Sequence, residues 1–312
     1  MQTRLQRYCA APTSQMLFNN YSMLLPTATR SFAVSEKSLK IRMKSVNSIR
    51  KITKAMKMVA ASKMKGDLAR LEKGRHFGNQ ALDMMFKCDT YMMRRAVEAP
   101  ANPRALLVPI TSDKGLCGGT NSGIVRNLRE YVNTHDRSKL SLFAIGDKGV
   151  AGLNRNMPDL MKVAISDVSK PINYPTVMAI SEHIIAHAEG KDKIVVFYNE
   201  FKSAISSIIR QMELMPRARF LETVRFGKLY EKSLPDANTS NLALYELYVT
   251  SNLWVAFLNN SAAEQSARMT AMENASKNSK EILHKLKLQY NRARQSRITI
   301  ELVEIISGAM AL

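Results

Sequence analysis

The chain has 312 residues, and its 46% apolar content is enough for one large domain or two smaller ones with a sizeable core. The formal net charge of +20 at pH 7 indicates acidic partners, which could be nucleic acid, an anionic membrane surface or acidic protein loops. The three cysteines lack the spacing of a disulfide framework or a zinc site, and the longest charge-free stretches are interrupted by Asn, Ser and Thr. These features exclude a membrane-spanning or disulfide-stapled protein and predict a soluble or peripheral one in a reducing compartment.

Residues 1–33 have the composition of an organelle transit peptide. They contain three arginines and many Ser, Thr and Ala residues, and no acidic residue occurs before Glu36. The sequence from Arg30 to Ala33 is similar to a mitochondrial processing site, which predicts a mature N-terminus near Ala33. A basic tail without a targeting role is the alternative.

Residues 34–99 contain no proline and predict one long amphipathic helix. Its expected buried stripe recurs every third or fourth residue and comprises Ile41, Val46, Ile49, Ile52, Met56, Val59, Met64, Leu68 and Leu71. Gly66, Gly74 and Gly78 each weaken a helix by roughly 1 kcal/mol relative to Ala, so a bend or break is expected in the later part.

This predicted helix carries an unusual excess of positive charge. Twelve Lys or Arg residues stand against three acidic residues between Glu36 and Lys73. A solvated helix face is the usual explanation for a charged run, but such a one-sided excess repels itself unless anionic groups lie opposite. The helix therefore predicts an acidic partner.

Residues 100–235 show short apolar runs alternating with helical stretches, which predicts an α/β domain. The expected strands are 105–111, 140–145, 193–199 and 208–214, and the expected helices are 120–133 and 176–189. Residues 220–235 give no clear pattern.

Residues 236–312 predict a second long helix, since 236–307 contain neither Gly nor Pro. Its register alternates steps of three and four residues, as in a coiled coil, and follows Leu247, Ser251, Trp254, Leu258, Ala262, Gln265, Met269, Met272, Ser276, Ser279, Leu283, Leu286, Tyr290 and Ala293. Such a helix is on the order of 100 Å long, so much of it must project from any compact domain.

The fold class is therefore α plus α/β: a long antiparallel coiled coil of the N- and C-terminal helices, with the α/β domain inserted between them. Many of the predicted core positions of this coiled coil are small or polar. Small side chains allow two helices to approach closely, which suits a slim rod.

Two local patterns suggest chemistry, and both favour structural roles. The glycine cluster at 115–119 follows a predicted strand, where phosphate loops occur, but it matches neither the Walker nor the GxGxxG pattern, and a tight turn is favoured. Cys117 has no recognisable base partner. His183 and His187 have zinc-ligand spacing, yet Ile184 stands where a zinc hydrolase has Glu. We therefore expect no catalytic residue, cofactor or metal.

Three blocks resemble the signatures of the gamma subunits of F-type ATP synthases. Residues 52–63 (ITKAMKMVAASK) are similar to the N-terminal signature, and residues 112–119 (SDKGLCGG) to the signature after the first strand of the α/β domain. The third block comprises 263–272 (AEQSARMTAM), 290–295 (YNRARQ) and the residues through 309. The blocks occur in the family's order, at both ends and in the middle, and together span nearly the whole chain after residue 33. The resemblance implies that the α/β domain between the two helices is Rossmann-like.

This resemblance implies a central-stalk rotor that couples proton-driven rotation to catalysis elsewhere, in the mitochondrial inner membrane on its matrix side. The implied partners are the alternating alpha and beta hexamer with its acidic beta lever loops, the c-ring, and the epsilon or delta stalk subunits. The implied beta contacts are Lys54, Met56, Lys57, Arg294 and Gln295. The implied bearing tip consists of Ile298, Leu302, Ile305, Ile306, Met310 and Leu312.

Lys57 departs from family members that have an acidic residue at this position, so its contacts are expected to differ. The paired cysteines of redox-regulated chloroplast relatives are lacking, which favours a mitochondrial form. Two alternatives remain open: a basic coiled-coil protein that binds nucleic acid, and a nucleotide-dependent enzyme built on the middle domain.

Overall fold

The computed structural model describes residues 35–77, 91–93, 103–168, 170–226 and 237–311. Its helices are α1 (Glu36–Arg75), α2 (Thr120–Thr134), α3 (Asp147–Asn154), α4 (Tyr174–His187), α5 (Arg217–Thr223) and α6 (Ala237–Met310). Its strands are β1 (Tyr91–Met93), β2 (Ala105–Pro109), β3 (Leu140–Ile145), β4 (Met161–Ile165), β5 (Lys193–Phe201), β6 (Ser207–Leu214) and β7 (Val224–Phe226). The expected transit peptide, residues 1–33, and the expected tip residue Leu312 lie outside the described residues.

Helix α6 runs without interruption for 74 residues, because no Gly or Pro breaks it before Gly308. At 1.5 Å per residue its length is about 110 Å, so the predicted projecting helix is confirmed. Despite this length, no helix in the described part of the chain has an apolar stretch able to cross a bilayer.

Helices α1 and α6 form the predicted antiparallel coiled coil. Glu36, at the start of α1, lies 2.5 Å from the Arg297 guanidinium near the end of α6. Asp67, far along α1, accepts a hydrogen bond of 3.0 Å from the Ser261 hydroxyl. Contacts thus move towards the N-terminal end of α6 as they move towards the C-terminal end of α1, which fixes the antiparallel direction.

The predicted buried stripe of α1 is wrong at four of its nine positions and correct at Leu71, whereas that of α6 is largely correct. Ile41, Ile49, Ile52 and Val59 are exposed. The residues of α1 that are buried include several small ones and comprise Leu39, Thr53, Ala60, Leu71 and Gly74. Small side chains allow two helices to approach closely, so packing selects them over the bulkier stripe that hydropathy favours. Within α6, the predicted seam residues Met272, Ser279 and Leu286 are buried, but Leu247 is exposed.

The single helix predicted over residues 34–99 is wrong in its later part, because residues 91–93 form strand β1. The expected break is absent at Gly66 and Gly74. The helix continues through Gly66 and Gly74 and ends at Arg75. A Cβ atom at Gly74 would lie 2.2 Å from a Leu258 methyl group. Gly74 therefore marks a close approach between α1 and α6. Gly78 lies outside the described residues.

The α/β domain contains a five-stranded sheet in the order β4-β3-β2-β5-β6. Strands β2 to β5 are parallel, and β6 pairs antiparallel with β5. One face packs on α4 and the first half of α6, through residues such as Val177, Ile180, Tyr245 and Leu253. The other face packs on α2 and α3. The sheet is thus enclosed between two helical layers, one of which includes the base of the long α6 helix.

Most predicted elements of this domain are confirmed to within two residues at each end. The β3 bounds match those expected, because a run of largely apolar residues predicts a strand buried on both faces. Strand β4 and helix α3 were not predicted, α5 extends into the region without a clear pattern, and β7 lies within it. A separate two-stranded ribbon pairs β1 with β7.

Candidate functional site

A groove of about 610 Å³ lies along the coiled coil where the middle of α1 meets α6. Helix α1 contributes Arg50, Lys51, Lys54, Lys57 and Met58, and α6 contributes Glu273, Ser276, Lys277 and Lys280. Six cationic side chains and a single carboxylate therefore line this surface, which we call the basic groove.

Glu273 neutralises two of these cations. Its carboxylate lies 3.1 Å from the Lys57 ammonium across the coiled coil and 3.3 Å from the Lys277 ammonium along α6. Hydrogen bonds from Lys57 and Lys277 hold the pKa of the Glu273 carboxyl below its usual value. The pair with Lys57 is half-exposed, with 38% of each side chain accessible, so it contributes little to folding.

The other four cations have no ion-pair partner in the described part of the chain. They are Arg50, Lys51, Lys54 and Lys280, and each is free to bind an external anion. The predicted contact residues Lys54 and Lys57 thus differ: Lys54 offers an uncompensated charge, and Lys57 is already paired. Met56 is half-buried beside them.

Arg294 and Gln295 lie elsewhere on the rod. Both are exposed on α6, close to the Arg297–Glu36 pair that marks the start of α1. They are separated from Lys277 by 17 or 18 residues of helix, which corresponds to about 26 Å. The structure therefore does not bring the two predicted sets of contact residues together. It places them at two levels of one shaft.

Beyond Arg297, α6 continues without a partner among the described residues. The expected tip residues Ile298, Leu302, Ile305, Ile306 and Met310 are all exposed. Ile300 and Val303, which the sequence reasoning did not select, are exposed as well. The end of α6 thus presents apolar side chains around its circumference, a surface that normally marks an interaction site.

The two patterns considered for chemistry have structural roles in the described chain. The ring nitrogen Nδ1 of His187 donates a hydrogen bond of 2.8 Å to the backbone carbonyl of His183, so their spacing is used within the helix. Cys117 is buried, and the Asn121 amide lies 3.2 Å from its sulfur. Among the described residues, no cluster of three His, Cys, Asp or Glu side chains is arranged to hold a metal ion.

Comparison with known proteins explains this combination of rod and α/β domain. A family model described as ATP synthase matches residues 35–312. The mitochondrial F(1) complex gamma subunit of Dictyostelium discoideum is 34% identical over 282 residues, which cover 88% of this chain and 91% of that protein. The chain belongs to the ATP synthase gamma-subunit family. The gamma chain of the bacterium Paracoccus denitrificans is 37% identical over 290 residues, covering 89% and 99% of the two chains.

Solved structures agree with this membership. The central stalk and c-ring structure of Tetrahymena thermophila mitochondrial ATP synthase contains a chain with 42% identity and a TM-score of 0.63, and the match covers 72% of this chain and 99% of that one. A chain of the Euglena gracilis mitochondrial ATP synthase has a TM-score of 0.70, with 88% and 94% coverage. At 20% identity, the second likeness shows the fold alone. The fold class inferred from the resemblance is confirmed.

The sequence reasoning missed part of the basic groove. Lys277 and Lys280 come from α6, whose overall charge is nearly balanced, with eight Lys or Arg and six acidic residues. The sequence did contain a signal for this part of the groove, because Glu273 is followed by Lys277 and Lys280 on one face of the helix. Only the register of the two helices shows that this face meets Lys54 and Lys57.

Proposed function

We propose that this chain is the central-stalk rotor subunit of an F1Fo ATP synthase, which couples proton-driven rotation of the c-ring to conformational changes at the catalytic beta subunits. The observation that carries the proposal is a single rod with two different exposed surfaces: the basic groove at one level and a bare apolar helix end beyond it. In this proposal the chain is not itself an enzyme.

The basic groove would receive the acidic lever loops of the beta subunits. Four of its cations lack partners within the described chain, and an acidic loop would offset their mutual repulsion. Individual exposed ion pairs contribute about 0–1 kcal/mol, so each can form and break as the shaft turns. Several acting together would bias one orientation without locking it.

Arg294 and Gln295 would make directional contacts with the hexamer. A guanidinium can form forked hydrogen bonds to a carboxylate or to backbone carbonyls, and an amide adds neutral ones. Hydrogen bonds weaken steeply when they are misaligned, so these contacts depend on the rotational angle of the shaft. They suit the transmission of torque at particular positions.

The apolar end of α6 has a different property. Hydrophobic contact is non-directional and depends on the area removed from water, so it favours no single angle. Ile298, Leu302, Ile305, Ile306 and Met310 would therefore act as a bearing tip that stays buried while it turns. Leu312, which lies outside the described residues, belongs to the same proposed surface.

The rod itself supplies the asymmetry that such a motor needs. Three chemically alike catalytic sites can differ at one moment only if an asymmetric object contacts them differently. The basic groove lies on one flank of the coiled coil, so each beta subunit would meet a different surface. Turning the rod would exchange their conformations, which is a population shift driven by rotation.

The α/β domain, residues 100–235, would form the foot of the rotor. The Tetrahymena chain similar to this one comes from a structure of the central stalk and c-ring, which supports placing the foot on a c-ring. The epsilon or delta stalk subunits would bind beside it. The mitochondrial relatives, together with the expected transit peptide at 1–33, support a peripheral location on the matrix side of the mitochondrial inner membrane.

Affinity capture of the tagged chain from detergent-solubilised mitochondria tests the proposal. Alpha, beta and c subunits should co-purify in a complex that hydrolyses ATP, and the captured chain should begin near Ala33. Recovery without these subunits, together with salt-sensitive binding to duplex DNA, would overturn the proposal in favour of a nucleic-acid-binding protein.

A further inference from the structure

The crevice in which doubly wound α/β domains bind their ligands is filled here by the shaft. Strand order reverses between β2 and β5, and ligands of such folds bind outside the carboxyl ends of the strands at that point. The Asn260 side chain of α6 accepts a hydrogen bond of 2.9 Å from the Asn199 amide near the end of β5. Only about 20 Å³ of open space remains between α6 and the strand ends. A nucleotide does not fit, since ligand pockets are typically about 300–1,000 Å³.

A buried carboxylate of α6 takes the place of a bound anion at this edge. Only 4% of the Glu264 side chain is exposed, and its two oxygens have separate cationic partners. The Lys170 ammonium, from the loop after β4, lies 2.5 Å from one oxygen, and the Arg268 guanidinium lies 2.6 Å from the other. Charge-assisted hydrogen bonds of this length in a water-poor site are strong and directional.

Arg268 extends this contact to the glycine cluster. Its guanidinium lies 3.4 Å from the backbone carbonyl oxygens of Lys114 and Gly115 and 2.9 Å from the Gln265 side-chain oxygen. Gly118 has a φ of +61°, and a Cβ there would lie 3.9 Å from the Ala267 carbonyl. The loop that resembled a phosphate cradle thus lies against α6.

The loops at this edge are also tied to one another. The Asp113 carboxylate accepts hydrogen bonds of 3.1 Å from the backbone amides of Asp147 and Asp167. The loops after β2, β3 and β4 therefore form one unit, and that unit holds α6 through Lys170 and through the carbonyls that face Arg268.

We propose that Lys170, Glu264 and Arg268 form a clamp that fixes the rotational position of α6 on the α/β domain, so that torque applied to the foot reaches the shaft. This inference rests on the proposed rotor function. The apolar contacts between α6 and the sheet supply most of the attraction between them. The charged contacts at the rim add hydrogen bonds that weaken steeply when misaligned, and so resist twisting of α6 about its own axis. The three side chains are positioning residues and take no part in chemistry.

The test uses the assembled complex, with the hexamer fixed to a surface and a probe attached to the α/β domain. The variance of the probe angle in a nucleotide-locked state measures torsional stiffness between foot and hexamer. Lys170→Met and Glu264→Gln should each widen this variance roughly twofold, because a strong charged contact is lost. Both should also lower the protons pumped per ATP hydrolysed in vesicles. Lys170→Arg keeps the charge and should restore the wild-type values.

Glu213→Gln is the matched control, since it removes an ion pair of 2.9 Å between the exposed Glu213 carboxylate and the half-buried Lys193 inside the α/β domain. It should leave stiffness and pumping unchanged. If Glu264→Gln prevents assembly, Lys170→Met still tests the clamp, because Arg268 continues to pair with Glu264. If the wild-type complex rotates and Lys170→Met leaves the torsional stiffness unchanged, the clamp proposal is overturned and the rotor function is not. A wild-type chain that does not rotate overturns the rotor function itself.

Discussion

Lys57 and Glu273 join the two helices of the rod through an ion pair of 3.1 Å at the centre of the basic groove. Lys54, one turn earlier on α1, lines the same groove and has no ion-pair partner among the described residues. Both lysines were predicted beta contacts, and the structure gives them different surroundings.

Lys54→Gln is therefore expected to weaken coupling more than Lys57→Gln. The first substitution removes a charge available to an external acidic loop, and the second removes one that Glu273 already offsets. A loss of about 0–1 kcal/mol of contact energy, up to roughly fivefold in a coupling constant, is expected for Lys54→Gln. Proton pumping per ATP hydrolysed in vesicles measures the difference. Equal effects of the two substitutions would contradict the separation.

Arg294→Lys keeps the positive charge but removes the planar fork. If Arg294 makes directional contacts, ATP synthesis should fall by roughly tenfold, since hydrogen bonds to charged groups contribute about 1.5–3 kcal/mol. Arg292→Lys, an exposed residue on the same helix, is the matched control and should have little effect. Wild-type synthesis by Arg294→Lys would show that charge alone is sufficient there.

Leu302→Ala with Ile305→Ala tests the proposed bearing tip. Both side chains are exposed in the described chain, so the free energy of unfolding of the isolated chain should change little. In the assembled complex each side chain would be buried, and each truncation should cost on the order of 1.5–3 kcal/mol of assembly free energy. Dissociation of the complex in a urea titration measures this cost. A stability loss in the isolated chain of the same size would instead indicate an internal role.

Gly66→Ala and Gly74→Ala should change stability in opposite directions. A Cβ at Gly66 meets nothing within 4 Å, so Ala should stabilise α1 by up to about 1 kcal/mol. At Gly74 the new Cβ would clash with the Leu258 methyl, and overpacking typically costs about 1–3 kcal/mol. Adding Leu258→Val should relieve part of that cost. Thermal unfolding of the three variants provides the comparison.

Asp67→Asn should stabilise the chain at neutral pH. Burial raises the pKa of the Asp67 carboxyl above its ordinary value of 3.8, although the Ser261 hydroxyl and Arg70 act in the opposite direction. A carboxyl whose folded-state pKa is raised holds its proton more tightly in the folded chain. The contribution of Asp67 to the free energy of unfolding is therefore largest below pH 3.8 and falls as the pH rises through the folded-state pKa.

The neutral amide avoids this loss and can still accept the Ser261 hydrogen bond. The stability difference between Asp67→Asn and wild type should therefore appear above the folded-state pKa and vanish at acid pH. Glu72→Gln, at an exposed position on the same helix, is the control. A difference that is independent of pH would contradict this account.

The successes and errors of sequence prediction have physical causes here. Strand β3 was predicted with its observed bounds because burial on both faces leaves a run that is apolar except for Ser141. Strand β4 was missed because it lies at the sheet edge and alternates half-buried with exposed positions, including Lys162. Helix α3 was missed because it is short and contains Gly149 and Gly152, which lower helix propensity.

The register of α1 could not be obtained from hydropathy, because the helix has two stripes that compete. The more apolar one, with Ile49 and Ile52, stays exposed, while Thr53 and Ala60 face α6. Their small size matters only once the partner helix is present. For the same reason, the sequence predicted that the rod is basic but not that Glu273 neutralises Lys57.

The most direct test of the rotor account is single-molecule observation of this chain assembled with the alpha and beta subunits, with a probe attached to the α/β domain. Added ATP should drive rotation of the probe in one direction, in repeated equal steps, about the axis of the coiled coil. ATP hydrolysis by the same complex with a stationary or randomly diffusing probe would contradict the account.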